Sequence, residues 1–300
     1  MKSAALSILL GLYMTPIFAT PSRVASISKY QGKVGLKHRD GKKEIVRRKR
    51  TPLFQKDTVY TAQKSKASIL YSDGTRVDLA SQSKVKIEIN GRKREIALVQ
   101  GSLRSDVKKY PGQRTTFKTP AGVAAVKGTL VDCALLAENE IRIAADLGLL
   151  THQIPSMRLA MDLSQNRSAT VRYNKTENRA KVMSVRGDLS IEIADVITKV
   201  EQGKGVSLKY DDRSGVVSVN DVIVNAEANT PDAAFLMDTG DGLDFLATGN
   251  GYTATITEGV VTVRTMHGAQ AILRKGETLF QSRRWLEPET PEGTQLLLQD

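Results

Sequence analysis

Apolar residues occupy every second position along much of this chain, and that period of two most restricts what it can fold into. Lys84-Val85-Lys86-Ile87-Glu88-Ile89, Leu189-Ser190-Ile191-Glu192-Ile193 and Val217-Ser218-Val219 all alternate, as a strand does when one face packs on a core and the other meets water. Turn chemistry separates the runs. Asp40-Gly41, Asp73-Gly74, Asn90-Gly91, Asp212 to Gly215, Asn220-Asp221 and Gly249-Asn250-Gly251 supply residues that accept positive φ. Many short strands at close spacing predict an all-β fold. The stretch from Ala134 to Leu150 is ambiguous: its Ala, Leu and Glu content favours helix, while Glu140-Ile141-Arg142-Ile143 still alternates.

A loose repeat emerges when the glycines are used as anchors. Gln31-Gly32-Lys33-Val34, Gln100-Gly101-Ser102-Leu103, Arg186-Gly187-Asp188-Leu189 and Glu258-Gly259-Val260-Val261 open alike. After the last two, a second apolar run and another glycine turn follow, at Gln202-Gly203 and Lys275-Gly276. Each unit is too short to bury its apolar face alone and must stack on a neighbour, so a solenoid-like or sandwich arrangement of hairpins is expected.

Met1-Lys2, an apolar run from Ala4 to Met14, Pro16 and the small residues Ala19 and Ser22 follow the order of a secretory signal peptide. The run is shorter than the roughly 20 residues of a membrane span, and no other stretch approaches that length. A periplasmic or secreted protein with no transmembrane segment after cleavage is expected. Cys133 is the sole cysteine, so no internal disulfide can form. It shares a strand face with Val131 and Leu135, which favours a buried small hydrophobe over a reactive thiol.

Charge is distributed unevenly. From Ser22 to Lys118 there are 25 Lys and Arg against 8 Asp and Glu, whereas from Thr119 to Asp300 there are 18 against 24. The basic runs hold Arg47, Arg48, Lys49 and Arg50, then Arg92, Lys93 and Arg94, then Lys108 and Lys109. These nine residues are the candidates for binding a polyanion, and stacked hairpins around Asp40-Gly41 and Asn90-Gly91 could gather the first two runs into one patch. For an exported chain the polyanion would be an anionic envelope polymer or lipid head groups. Nucleic acid is disfavoured, because no aromatic-bearing RNA-binding motif accompanies the charge.

The region from about Ile27 to Cys133 resembles a FecR domain, a periplasmic domain first associated with regulators of ferric-citrate uptake. The resemblance is carried in order by Leu53 to Thr61, by Ser65 to Leu79 with its Asp73-Gly74 turn, by Ser83 to Ile87, and by Phe117 to Thr129 with Pro120 and Gly128. It implies a β-rich binding or signalling module without an active site. Sigma-regulating members carry a cytoplasmic helical domain ahead of a transmembrane helix, but only Met1 to Ser3 precede the apolar run here, so sigma-factor regulation within this polypeptide is not expected. The chain accordingly divides into a signal peptide (1–22), a FecR-like β domain (23–150), a second β-rich repeat region (151–285) and a tail (286–300).

Catalytic and metal-binding patterns are wanting. His38, His152 and His267 have no second ligand at metal spacing, and neither a nucleophile elbow nor a phosphate loop is present. Asp238-Thr239-Gly240-Asp241-Gly242-Leu243-Asp244 could offer oxygens to calcium, but its spacing fits a turn between strands better. A hydrolase would need a deep polar pocket within an insertion between Leu147 and Arg179. The sequence therefore predicts a non-enzymatic binding, scaffold or sensor protein that engages an envelope protein partner and needs no cofactor or metal; electrostatic attachment to an anionic envelope polymer or lipid head groups is the alternative.

Overall fold

The computed structural model describes residues 23–282, except 91, 224–225, 231–232, 249–250 and 267. The expected signal peptide, the tail, His267 and the turn glycines at 91 and 249 lie outside the described residues. The chain begins with β1 (Arg23–Gln31), β2 (Val34–Lys37), β3 (Lys43–Ile45), β4 (Thr51–Phe54) and β5 (Thr58–Thr61). The motifs of the FecR resemblance continue through β6 (Lys66–Tyr71), β7 (Arg76–Leu79), β8 (Lys84–Asn90), β9 (Lys93–Gln100), β10 (Ser102–Asp106), β11 (Arg114–Thr119) and β12 (Gly122–Val126). Then come β13 (Leu130–Ala137), β14 (Glu140–Leu147), β15 (Leu150–Ile154), β16 (Leu159–Leu163), β17 (Arg167–Asn174) and β18 (Arg179–Arg186). The series ends with β19 (Leu189–Ile193), β20 (Val196–Val200), β21 (Gly205–Tyr210), β22 (Val216–Ile223), β23 (Ala226–Asn229), β24 (Ala233–Met237), β25 (Gly242–Thr248), β26 (Gly251–Glu258), β27 (Val260–Thr265), β28 (Gln270–Arg274) and β29 (Thr278–Ser282).

These strands form two sheets. Sheet A has 14 strands in the order β29-β26-β25-β22-β21-β18-β17-β14-β13-β10-β7-β6-β1-β4, and sheet B has 15 in the order β28-β27-β24-β23-β20-β19-β16-β15-β12-β11-β9-β8-β5-β2-β3. At a strand spacing of about 4.8 Å each sheet extends roughly 65 Å. Alternation supplies the core: Ile141, Ile143 and Ala145 of β14 and Leu189, Ile191 and Ile193 of β19 point inward, and the inward residues of both sheets join one hydrophobic cluster. Each fully buried Ile or Leu contributes about 1.5–3 kcal/mol.

From β11 onward the chain lays two neighbouring strands in one sheet, crosses, and lays two in the other. The four repeat-opening glycines, Gly32, Gly101, Gly187 and Gly259, all sit at such crossings with φ between +69° and +78°. At Gly101 a side chain has no room, because a Cβ would stand 2.7 Å from the Gln82 carbonyl oxygen.

Sheet A receives only one strand, β10, between β9 and β11. One traverse out and one back leave β11 running alongside β9 in the same direction, and this pair is parallel while the other pairings among the described residues are antiparallel. The strand directions then exchange the roles of the two long edges. Taking the upper edge as the one where β1 ends, β6–β7 and β8–β9 turn at the lower edge and cross sheets at the upper one. Beyond β10 the crossings lie on the lower edge, at Gly128, Gly148, Gly187, Gly203 and Gly259, and the hairpin tips lie on the upper.

Register decides the ambiguous stretch and the segment after it. Ala134 to Leu150 is strand, because the hairpin β13–β14 buries Val131, Cys133, Ile141, Ile143 and Ala145 on one face, a parity that a helix would scatter. Residues 147–179 form β15, a short 3-10 turn at Pro155–Met157, β16 and β17, regular members of the two sheets and no insertion. Leu150 and Thr151 both belong to β15, and the β12–β15 and β14–β17 pairings join the strands on either side of them. Among the described residues no helix is long and apolar enough to cross a membrane.

Candidate functional site

The nine basic candidates do not form one patch. Arg47, Arg48, Lys49 and Arg50 are exposed on the loop joining β3 to β4, the outermost strands of sheets B and A, so they cover one end of the sandwich. Val46 is buried there, its N–H bonded to the Val34 carbonyl at 2.9 Å, and the Arg50 N–H reaches the Ile27 carbonyl at 2.7 Å. Charge over a terminal rung keeps an open sheet edge from pairing with another chain. Arg92, Lys93, Lys108 and Lys109 lie on the lower edge, all exposed. In sheet B, β3 and β9 stand four strands apart, about 19 Å.

Arg94 leaves the surface altogether. It is 2% exposed, and its Nη2 donates to Asp73 Oδ2 at 2.8 Å. Its guanidinium lies 4.1 Å from the centroid of the buried Tyr71 ring, a cation–π contact. The Gln113 amide completes the cluster: with its nitrogen assigned to the Asp73 side, as the surrounding donors and acceptors require, it donates to Asp73 Oδ2 at 2.9 Å and accepts from Arg94 Nη2 at 3.0 Å. Burial would raise the Asp73 carboxyl, but the hydrogen bond from Arg94 and those from Thr75 outweigh it and hold the group below the usual carboxylate range. Burial pushes the Tyr71 phenol up, opposed in part by the Arg94 charge. The cluster fastens the β6–β7 turn and loop 107–113 to β9.

The three acidic or imidazole sites serve the backbone. His38, read as isolated, has its Nδ1 3.2 Å from Asp57 Oδ1 and its Nε2 3.6 Å from Glu44 Oε1, while Asp57 Oδ2 accepts the Phe54 N–H at 2.9 Å. His152 is fully buried, with Nε2 3.1 Å from the Ala121 carbonyl and Nδ1 without a partner. Asp241 accepts N–H bonds from Asp238 at 2.6 Å and Val260 at 3.1 Å, which closes a turn. Among the described residues no group of three His, Cys, Asp or Glu side chains could hold a metal ion. Cys133 is 1% exposed in the core, where burial raises its thiol well above the usual range. Cys133→Val should unfold within about 1.5 kcal/mol of the parent, and the native thiol should resist a soluble disulfide reagent; lost function with an unchanged fold would reveal a working thiol.

The outer face of sheet A carries a more specific arrangement, set by register. One row runs Asp78, Arg104, Asp132, Ala144, Ser168, Arg186 across β7, β10, β13, β14, β17 and β18. Arg104 pairs with Asp132 at 3.4 Å and Asp146 at 3.0 Å, and Arg186 with Asp146 at 2.9 Å. Burial raises Asp132, whereas the Arg186 hydrogen bond lowers Asp146, so of the two carboxyls Asp132 is the more readily protonated. The neighbouring row runs Ala134, Arg142, Thr170, Met183, Gly205. Because Gly205 has no side chain, a groove of about 290 Å³ opens beside Met183, lined also by Leu136 and Thr170. Leu136, Met183 and Val185 are 51%, 43% and 45% exposed, an apolar strip bordered by the ion pairs. Sequence reasoning missed this strip because it needs the cross-strand register.

Residues 57–145, spanning β5 to most of β14, match the sequence model of the family described as FecR protein. This stretch is similar to a FecR domain. Asp73, Arg94 and Gln113 lie inside it, and the apolar strip straddles its C-terminal limit. Two crystal structures of a candidate anti-sigma factor from Parabacteroides distasonis each overlap at 15% identity with a TM-score of 0.38, covering 43% of this chain and 59% of that one. The TCP10 domain of Danio rerio CPAP, in complex with a STIL peptide, overlaps at 13% identity with a TM-score of 0.14, covering 70% of this chain and 99% of that domain. No curated protein matches the chain.

Proposed function

We propose that the protein is a non-enzymatic FecR-domain sensor or scaffold, exported to the periplasm, that binds a protein partner on the outer face of sheet A. The observation that carries this reading is the strip of Leu136, Met183 and Val185 beside the Gly205 groove, framed by the Arg104–Asp146–Arg186 pairs. An apolar centre inside a polar rim is the anatomy of a protein interface. A photo-cross-linking residue at Met183, in the full chain expressed in its host, should capture one defined protein, and the same probe at the exposed Ile197 of sheet B should not. Met183→Glu should weaken binding to that protein about thirtyfold, the scale of losing one ~2 kcal/mol interface residue. Equal capture at both positions would end this reading.

A second reading, attachment to an anionic envelope polymer or to lipid head groups, is favoured by the exposed basic residues of the lower edge. Its mark is binding that weakens steeply with salt, which an apolar-centred contact does not show.

A further inference from the structure

Loop 107–113 is the unusual connection that follows the lone strand β10, and three turns of the lower edge close around it. A Cβ on Gly112 would stand 3.0 Å from Arg92 Nη1, one on Gly128 would stand 2.9 Å from Lys109 Cβ, and one on Gly74 would stand 3.8 Å from Lys108 Cγ. The loop therefore gathers Arg92, Lys108, Lys109 and, beside Gly128, the exposed Lys127. Lys93 and Arg114 join them as direct register partners of the parallel pair β9–β11, although like charges facing each other oppose sheet pairing.

Nearby carboxylates are already engaged. Asp106 holds Lys108 at 2.8 Å, Asp73 holds Arg94 at 2.8 Å, Glu95 holds Lys118 at 3.5 Å and Glu88 holds Lys86 at 2.6 Å. Among the described residues Arg92, Lys93, Lys109, Arg114 and Lys127 have no acidic side chain within ion-pair distance. At the tip of the loop Tyr110 is 61% exposed, between Lys109 and Pro111.

We infer that this edge docks on an anionic phospholipid surface, with the cations on lipid phosphates and the Tyr110 ring at head-group depth. This inference rests on the electrostatic reading above and narrows it. Tyrosine is favoured at membrane interfaces because its ring enters the apolar boundary while its hydroxyl stays wet. A soluble polyphosphate would satisfy the cations but give the ring nothing apolar to enter. The Arg94–Asp73–Gln113 cluster holds the loop in place from beneath.

The test uses the full chain with phosphatidylcholine vesicles, with and without phosphatidylglycerol. Binding should require the anionic lipid and decline with salt. Each basic side chain at such a surface is worth about fivefold, so Lys108→Gln with Lys109→Gln should weaken binding about thirtyfold, as should Arg114→Gln with Lys127→Gln. Arg47→Gln, Arg48→Gln and Lys49→Gln together should alter it about twofold or less at 0.15 M salt, because the end loop lies more than two Debye lengths from the loop edge. In a Tyr110→Trp variant the emission of the introduced indole, read as the difference from the parent with its own Trp285, should shift to the blue on anionic vesicles. Any contribution from apolar residues 4–14 is common to every variant. Parent-like binding by both loop-edge variants, or an unshifted emission of the introduced indole on bound protein, overturns the inference. Salt-sensitive binding to soluble polyphosphate without vesicle binding overturns the lipid assignment alone; binding to neither removes the electrostatic reading as well.

Discussion

Arg94→Met should destabilise the protein by about 3–5 kcal/mol, because it strands the Asp73 carboxylate in a nearly dry site opposite Tyr71. Arg94 and Asp73 are 2% and 8% exposed, so the charge left behind has little access to water. The loss arises from that unpaired charge more than from the removed attraction. Pairing Arg94→Met with Asp73→Asn should therefore recover a large part of it: the amide is neutral, and its oxygen can still accept the Thr75 N–H that Asp73 Oδ1 takes at 3.0 Å. Urea unfolding of the parent, both single variants and the double variant gives the coupling directly. A loss below about 0.5 kcal/mol in Arg94→Met, within the range of ordinary surface substitutions, would show that the pair is not structural.

The second large effect is loss of stability in acid, centred on His152. Burial lowers its pKa from 6.5 to about 4, against a smaller opposite effect of the hydrogen bond to Ala121. The folded protein therefore holds a neutral ring over a range in which the unfolded chain takes up a proton. Its contribution is fully present above pH 6.5 and is lost progressively as pH falls from 6.5 to about 4. A gap of that size corresponds to about 3 kcal/mol. In His152→Leu this part of the pH dependence should vanish while the carboxylate contributions remain. Urea midpoints at pH 7, 6, 5 and 4 for the two proteins make the comparison, and parallel profiles would rule out the histidine as its origin.

The architecture was legible wherever one local signal decided it. Parity of apolar residues marked most of the strands; over β13 and β14 it competed with helical propensity, and burial on one face decided for strand, while the glycines read as opening each hairpin unit fall at crossings between the sheets. Arg94 departs from the surface reading although the signal is present: in Lys93-Arg94-Glu95-Ile96-Ala97-Leu98 it shares parity with Ile96 and Leu98, both buried. The basic run around it obscures that phase. What no local pattern could supply was long-range register. The contact of His38 with Asp57, the row from Ala134 to Gly205 and the separation of Arg47–Arg50 from Arg92 all depend on which strands become neighbours, and beyond each hairpin the next neighbour arrives only after the chain has passed through the other sheet.

The single strand β10 has a further consequence for how the molecule can change. A hairpin tip is held only by its own two strands, so it can lengthen without disturbing its surroundings, whereas a crossing ties the two sheets together and cannot. Since β10 exchanges tips and crossings between the long edges, extensible loops face one direction in the β6–β9 segment and the opposite direction from β13 to the C-terminal strands. New surface acquired by insertion would accumulate on diagonally opposed flanks, leaving the two flat outer faces of the sandwich unobstructed.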